Sequence, residues 1–519
     1  MKKTLSLSLA MMVSSGIFAQ SLVNFQTDEQ GKIYSSSSIQ NSLSNQDMQT
    51  DGLILDWSEP DFNISNNPSL DSWDSRLTMG LNGVPYVVYS DNHSNGLQKI
   101  MFRKKVNNEW TAPIFVDAGG EIGGRNNHFG AIGYSPNGDL HVTFNVWAFE
   151  NVRNYVGYAH YDAVEGTWSD AEKISDLNGT VNHFTTRHDI YSTEDNKPVV
   201  VWGYDFRANQ TNEEIYMKYF DGTNWSSDIA VSDVTDNLNA GLPHIKSIRN
   251  NKGMILYAEN VDATNMELRY RIYDETTHTL SPAKVVTTQN VGFSNYVLTV
   301  AGLEVKVLLL YKNGSQDNIE IYNYDSDTDS FTLSEHEFQI AANAGGLMKR
   351  ADMDCMGIGE CGIVFTDFLE ETNTFVSFND EEGFGEPVII NEQNPGFDTP
   401  NIRMDYLGNA HVVWSDYRFN DGEGWDEREV FYKMGATSLI NVTDFSTSNF
   451  VIYPNPTSGQ FTIDTKEAFK VEIFNALGKM VQTQNISGKT NIQTSLSTGV
   501  YFLKLSNEKG SHVRKLIIK

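Results

Sequence analysis

The chain has 519 residues, 12% of them aromatic and 40 of them glycine, enough for two or more domains and suited to a β-rich fold with many tight turns. Its 38 Lys and Arg against 67 Asp and Glu give a net charge of -29, a field that repels nucleic acid and anionic membranes. It also disfavours anionic polysaccharides, unless a local basic site overrides it.

Residues 1–19 read as an export signal: Lys2 and Lys3 form the charged start, Leu5 to Phe18 the apolar core, and Ala19-Gln20 the cleavage point, with Ile17 a poor fit at minus three. No later stretch has the roughly 18 apolar residues of a membrane helix, so an exported, soluble monomer is expected. Residues 20–50, rich in Ser, Asn and Gln and with Ser35 to Ser38 in a row, read as a polar spacer.

From 51 to 438 one unit recurs. Its middle apolar runs are Val84–Ser90, Leu140–Asn145, Pro198–Tyr204, Met254–Glu259, Val305–Lys312, Gly362–Thr366 and Ala410–Ser415. A Tyr-rich run follows each, and then in six copies a third run, led by an aromatic residue in all but Leu280-Ser-Pro-Ala, as in Trp110-Thr-Ala-Pro, Trp168-Ser-Asp-Ala and Trp225-Ser-Ser-Asp. The spacing of about 50 residues is that of propeller repeats, each copy one four-stranded blade. The seventh copy lacks its Trp-led run, and the orphan Trp57-Ser-Glu-Pro near the start supplies it. Pairing the two ends would remove the exposed sheet edges. The fold expected is all-β: a seven-bladed β-propeller closed by an N-terminal strand.

Each unit opens on a Gly-containing turn and an innermost run that would line the mouth of a central channel. Three consecutive repeats place histidine there, His128, His183 and His244, where others have Asn295, Lys349 or Thr399. Three imidazoles at one mouth can transfer protons, hold a carboxylate or bind a metal. No cofactor is certain; a structural divalent metal, zinc or calcium, is left open. Arg125, Tyr204, Arg207, Tyr417 and Arg418 gather on the same rim. This mixture meets the needs of β-elimination at a uronic acid: a cation or amide neutralises the carboxylate, one group removes the C5 proton, and another protonates the leaving oxygen. A glycosidase would use two carboxylates, for which Asp205, Asp367 and Asp416 are available. A non-catalytic glycan- or protein-binding propeller would use the rim aromatics Trp147, Phe149, Phe206 and Trp425.

Cys355 and Cys361 are the only cysteines, and their spacing in an exported protein suits a disulfide across a β-hairpin. After a linker at 439–449 the composition changes, with nine Lys and Arg against five Asp and Glu from Ile440 onward. Tyr453-Pro-Asn-Pro-Thr-Ser-Gly, Val471-Glu-Ile-Phe-Asn-Ala-Leu-Gly-Lys and Leu496-Ser-Thr-Gly-Val-Tyr-Phe-Leu-Lys describe a small C-terminal β-sandwich over 450–519. These segments resemble the sorting domain of type IX secretion substrates in the Bacteroidota. The resemblance implies engagement of that machinery, passage through the periplasm and outer membrane, and release or surface attachment.

The repeat cadence resembles BNR/sialidase-like propellers. Asp221-Gly-Thr-Asn-Trp225 and Asp162-Ala-Val-Glu-Gly-Thr-Trp168 stand where sialidases carry Ser-x-Asp-x-Gly-x-Thr-Trp, but the full pattern and the Arg-Ile-Pro motif are absent, which argues against sialic acid hydrolysis. In architecture and in its rim of His, Tyr and Arg the chain is similar to propeller-type polysaccharide lyases, ulvan lyases among them, without a shared contiguous signature. That resemblance implies His128 and Tyr204 as the proton-transfer pair, with Arg207 and Asn127 on the carboxylate. His183 and His244 would orient substrate or bind metal, and Arg125, Trp147 and Arg418 would contact it. The activity implied is lysis or dehydration of uronate-containing poly- or oligosaccharides.

Overall fold

The computed structural model describes most of 55–437 and 450–519, together with 25–27 and 33–35; loop stretches at 149–152, 176–183, 206–212, 290–294, 341–350, 392–399, 419–427 and several shorter ones lie outside the described residues. The described residues form strands and turns with no helix. The chain divides into two compact units, one spanning 51–438 and one combining 1–50 with 439–519.

The larger unit holds seven antiparallel sheets of four or five strands. Their inner strands are Ser72–Met79, Asn126–Tyr134, Phe184–Ser192, Ala240–Arg249, Asn295–Ala301, Ala351–Cys355 and Asn401–Met404. Each packs beside the next, and Asn401–Met404 packs against Ser72–Met79 to complete the circuit. The second strands coincide with the apolar runs read from the sequence. Val199, Val200, Val201 and Trp202 are all buried, because this strand lies inside its sheet with neighbouring sheets on both faces. Each such side chain contributes on the order of 1.5–3 kcal/mol.

The outermost runs are broken rather than continuous. In four sheets the hydroxyl residue of the run enters the ladder itself: Thr111, Ser169, Ser226 and Ser281 accept through their side-chain oxygens from the amides of Lys104, His160, Tyr219 and Ile272. Their own amides donate back to the carbonyls of the same four residues. One residue thus uses both its side chain and its backbone at one rung, and the strand bends away. Among the described residues the fifth sheet has no such rung, and Ser330–Ile340 is a single strand of 11 residues whose register shifts opposite Ile321.

The aromatic leader of each outer run packs back onto the preceding sheet: Trp168 on Phe102 at 5.2 Å, Trp225 on Tyr158 at 5.0 Å, Phe331 on Tyr270 at 5.1 Å and Phe384 on Phe338 at 5.3 Å between ring centroids. Trp110 of the first sheet reaches Tyr432 of the last at 4.9 Å. The N-terminal segment completes the series. Leu55 and Asp56 pair with Thr437 and Ala436, and Phe62 and Asn63 pair with Tyr432 and Phe431. Trp57 packs on Phe375 at 5.3 Å and lies over Gly435, where a Cβ would fall 2.6 Å from the indole.

In the other unit, two antiparallel sheets, one of three strands and one of four, share a core that includes Phe461, Ile463, Val471, Ile473, Leu503, Leu505 and Leu516. Within the stretch read as a spacer, Phe25–Thr27 pairs with Ile33–Ser35.

Candidate functional site

The seven inner strands surround a cavity of about 1030 Å³. In the first four sheets these strands carry a β-bulge at one shared register, between Trp73 and Arg76, His128 and Ala131, Thr185 and His188, and Gly241 and His244. Two residues there oppose one partner, which bends the strand and turns the following side chains to the other face. Asp74, Phe129 and Leu242, the first bulge residues of three of them, hold left-handed φ of 50°, 56° and 56°, a conformation that disfavours residues with a Cβ. No such shift occurs in the other three inner strands among the described residues.

That register corrects the sequence alignment of the histidines. His244 directly follows its bulge, and its equivalent in the third sheet is His188, with Arg76 and Ala131 in the first and second sheets. His128 precedes its bulge and matches Thr185 and Gly241. The alignment by glycines failed because Gly241 is itself a strand residue level with His128, whereas Gly124 precedes its strand. The signal that could have found His188 is the run Arg187-His188-Asp189, three ionisable residues in succession inside a strand.

The cavity carboxylates are engaged in holding the sheets together. Each inner strand is a sheet edge with amides that need acceptors. Asp189 accepts from the Ile245 amide at 3.1 Å, Asp352 from Ile402 at 2.9 Å and Asp354 from Met404 at 2.8 Å, while the Asn401 side-chain oxygen accepts from Leu77 at 2.7 Å. Cations add to this: Arg403 donates to Asp352 at 2.9 Å, Lys246 to Asp189 at 3.2 Å, and Arg76 pairs with Asp74 at 3.0 Å. Burial would raise the Asp189 carboxyl, but Lys246, His244 and the Ile245 amide hold it well below the usual carboxylate range. Asp354 is raised, because burial outweighs Arg403 and the Met404 amide.

Two imidazoles are not so engaged. His128 is 7% exposed, with Phe129 and Trp147 against its ring at 4.5 and 5.8 Å, and its Nε2 has no hydrogen-bond partner among the described residues. Burial pulls it down to about 4. His188 places Nδ1 2.9 Å from the Thr143 hydroxyl of the adjacent sheet, and its Nε2 meets no partner in good hydrogen-bonding geometry. Burial also pulls His188 to about 4, opposed by Asp189 and the Phe129 carbonyl and assisted by Arg76 and His128. Both rings are neutral bases at neutral pH. His244 lines the same cavity, its Nδ1 3.7 Å from Asp189 and its ring against Tyr296.

The other expected site residues are dispersed. Tyr204 is fully buried between sheets against Trp202 and Tyr216, its hydroxyl donating to Asp228 at 3.1 Å. It lies in the core and does not line the cavity, because the second strand is enclosed on both faces. Asn127 is also fully buried, its amide spent on Asp117 and on the Ile122 carbonyl at 3.3 Å. Arg418 is clasped by Asp416 and, at 2.8 Å, by Asp61, and lies 3.7 Å over the Phe431 ring. It fastens the N-terminal segment to the last sheet. Arg125 is exposed, and Trp147, 40% exposed, stands beside His128. Arg207 and His183 lie outside the described residues. Among the described residues no three His, Cys, Asp or Glu side chains gather as a metal site. Cys355 and Cys361 form a disulfide across their hairpin.

Residues 451–519 match the secretion system C-terminal sorting domain. The protein is therefore a secreted or cell-surface protein that uses this export route; no helix among the described residues is long and apolar enough to cross a membrane. No curated protein sequence matches the chain. Among solved structures it is similar to a protein of unknown function from Dyadobacter fermentans, at 12% identity and TM-score 0.41, over 72% of this chain and 98% of that one. It is also similar to an alpha-L-arabinofuranosidase from Fusarium graminearum, at 9% identity and TM-score 0.44 over 73% and 98%, and to the intramolecular trans-sialidase from Ruminococcus gnavus, at 10% and 0.39 over 72% and 97%.

Proposed function

We propose that the larger unit is a seven-bladed propeller of a secreted carbohydrate-active protein, and that its central cavity cleaves or dehydrates uronate-containing glycans by β-elimination. The seven sheets in cyclic contact support the first part. The observation that carries the second is His128, a buried neutral imidazole that lines the cavity and whose Nε2, shielded in the closed ring, has no hydrogen-bond partner among the described residues. A neutral ring whose nitrogen lone pair meets no competing donor can serve as a general base. Its Nε2 lone pair takes the C5 proton, the C5–H electron pair becomes the C4=C5 bond, and the C4–O bond breaks. The leaving oxygen takes its proton from water in the open cavity, since Tyr204 is enclosed in the core. Arg125 and Trp147 contact sugar at the mouth, and Arg207 and His183 retain the roles given to them above.

A glycoside hydrolase is less well supported, because Asp74, Asp189, Asp352 and Asp354 are bound to backbone amides or cations of the ring. The second reading is a non-catalytic glycan-binding propeller, favoured by the exposed Phe129 and Trp147 at the mouth. Incubation with plant and marine polyuronates separates these readings. Elimination gives an ultraviolet-absorbing unsaturated product, hydrolysis gives new reducing ends without it, and a binder gives neither. His128→Ala should abolish the absorbing product; retention of full activity would remove His128 from the mechanism. Metal analysis of the purified protein tests the zinc or calcium expectation.

A further inference from the structure

The shared bulge serves three different ends where its first residue is described. Asp74 pairs with Arg76 at 3.0 Å, Leu242 packs against the apolar cluster of the fourth and fifth sheets, and Phe129 stands 46% exposed. All three hold a left-handed φ, which costs free energy in any residue with a Cβ and persists only where something else requires it. The ion pair offsets that cost at Asp74, and buried packing does so at Leu242. The Phe129 amide is held by the Ser90 hydroxyl of the first sheet at 3.0 Å, and its ring touches the edge of His128. Close to half of the residue nevertheless stays in water. The strain there holds out an aromatic ring that the fold uses little.

A second aromatic residue stands beside it. Trp147 is 40% exposed and meets the same His128 ring. It lies two residues beyond Asn145, the ladder partner of His128. The residues at that register in the first and fourth sheets are Asn92 and Asn260, two beyond Ser90 and Ala258. Phe62 is the one other exposed large aromatic side chain of the larger unit among the described residues, and it lies between Trp110 and Arg103 contacts on an outer strand.

The surroundings decide what the two rings suit. Phe129 and His128 line the cavity, and the ladder partners of Trp147 on both sides are amides, Asn126 and Asn154. Two rings bordered by asparagines offer far less apolar area than the roughly 800 Å² per partner of a stable protein interface. They match the C–H face of one pyranose, whose hydroxyl rim the amides can meet. An aromatic face is electron-rich, so it attracts polarised C–H bonds and repels a carboxylate, and the net charge of -29 acts in the same direction.

The geometry points to Phe129 and Trp147 as a stacking subsite for an uncharged pyranose unit, beside the cavity that takes the uronate. This rests on the reading of the cavity as a glycan site and narrows its substrate to a mixed glycan, in which a neutral sugar neighbours the uronate.

Calorimetric titration of the full chain with cellotetraose, xylotetraose, mannotetraose and galactotetraose tests the proposal. At least one should bind with an affinity insensitive to salt, and Phe129→Ala and Trp147→Ala should each lower that affinity by about tenfold. Phe129→Tyr and Trp147→Phe, which keep a ring, should retain most of it. Phe129→Gly should lose affinity as Phe129→Ala does yet hold its melting temperature, because glycine relieves the left-handed backbone as the contact with His128 is lost. Should Trp147→Ala fail to fold, the Phe129 variants decide. A clear fall in melting temperature in Phe129→Gly would place the ring in service of the fold and overturn the proposal. So would binding of none of these sugars, or binding that the alanine variants leave unchanged. Elimination of a polyuronate by a chain that binds no neutral sugar refutes the subsite alone; ring-dependent sugar binding without elimination of any polyuronate refutes the lyase alone.

Discussion

The inner strands of the first four sheets and of the last three line one cavity with different chemistry. The last three run regularly where they are described, and Asp352, Asp354 and Asn401 direct their polar atoms sideways, onto the amides of the next strand. The first four are bulged, and the residues around the bulges, among them Arg76, His128, His188 and His244, face the cavity. A polar residue on an edge strand can satisfy the ring or face a ligand, and the bulge decides which. The one marked exception in the bulged half, Asp189, lies one residue past the shared register and behaves as Asp352 does, bridging to Ile245.

The comparison can be broken most forcefully at the closure on which both halves depend. Deleting residues 53–65 removes Trp57, the pairing with Phe431 to Thr437 and the Asp61–Arg418 clasp, and should unfold the larger unit cooperatively; replacing the half-buried Trp57 by Ala alone should cost less than a fully buried Trp, about 3 kcal/mol by chemical denaturation. An unchanged melting temperature after the deletion would show that the ring closes without this segment.

Next, Asp352→Ala should cost about 3 kcal/mol, because it strands the Arg403 guanidinium and leaves the Ile402 amide without its acceptor. Equal destabilisation from His128→Gln in the opposite half would erase the distinction between structural acids and uncommitted imidazoles. Replacing both Cys355 and Cys361 by Ser should cost about 2 kcal/mol through the short loop they close, with glycan activity intact. Loss of activity at full stability would place the hairpin in the site.

The last test is a pH dependence. His128 and His188 titrate near 4 in the folded chain against 6.5 for the free side chain. The unfolded chain therefore binds more protons between those values, and stability should fall as pH drops from about 6.5 to 4. His128→Gln should flatten part of that limb. Asp189, depressed when folded, contributes stability above its unfolded value near 3.8 that is lost only at more acidic pH, so His128→Gln should leave the most acidic limb unchanged.

Much of the architecture was determined by the sequence alone, because burial on both faces of a second strand demands an unbroken apolar run and the Trp-led run demands a partner sheet. Val199 to Trp202 and the orphan Trp57 could be placed from composition and spacing. The disulfide and the sorting segment at 451–519 were equally local, carried by two cysteines and by contiguous motifs. The site depended on register, and register is not local. Tyr204 ends an apolar run and reads as a rim phenol, yet packing on both faces of its strand puts it in the core. His188 sits mid-strand with no turn to mark it, yet the one extra residue of a bulge, where two residues oppose one on the partner, turns it into the cavity. Arg418 reads as a substrate contact until the chain end folds back and places Asp61 against it. Sequence settled which residues form the sheets; only tertiary structure settled which polar residues the ring consumes and which it leaves free to act, because that depends on which neighbouring edge each one meets.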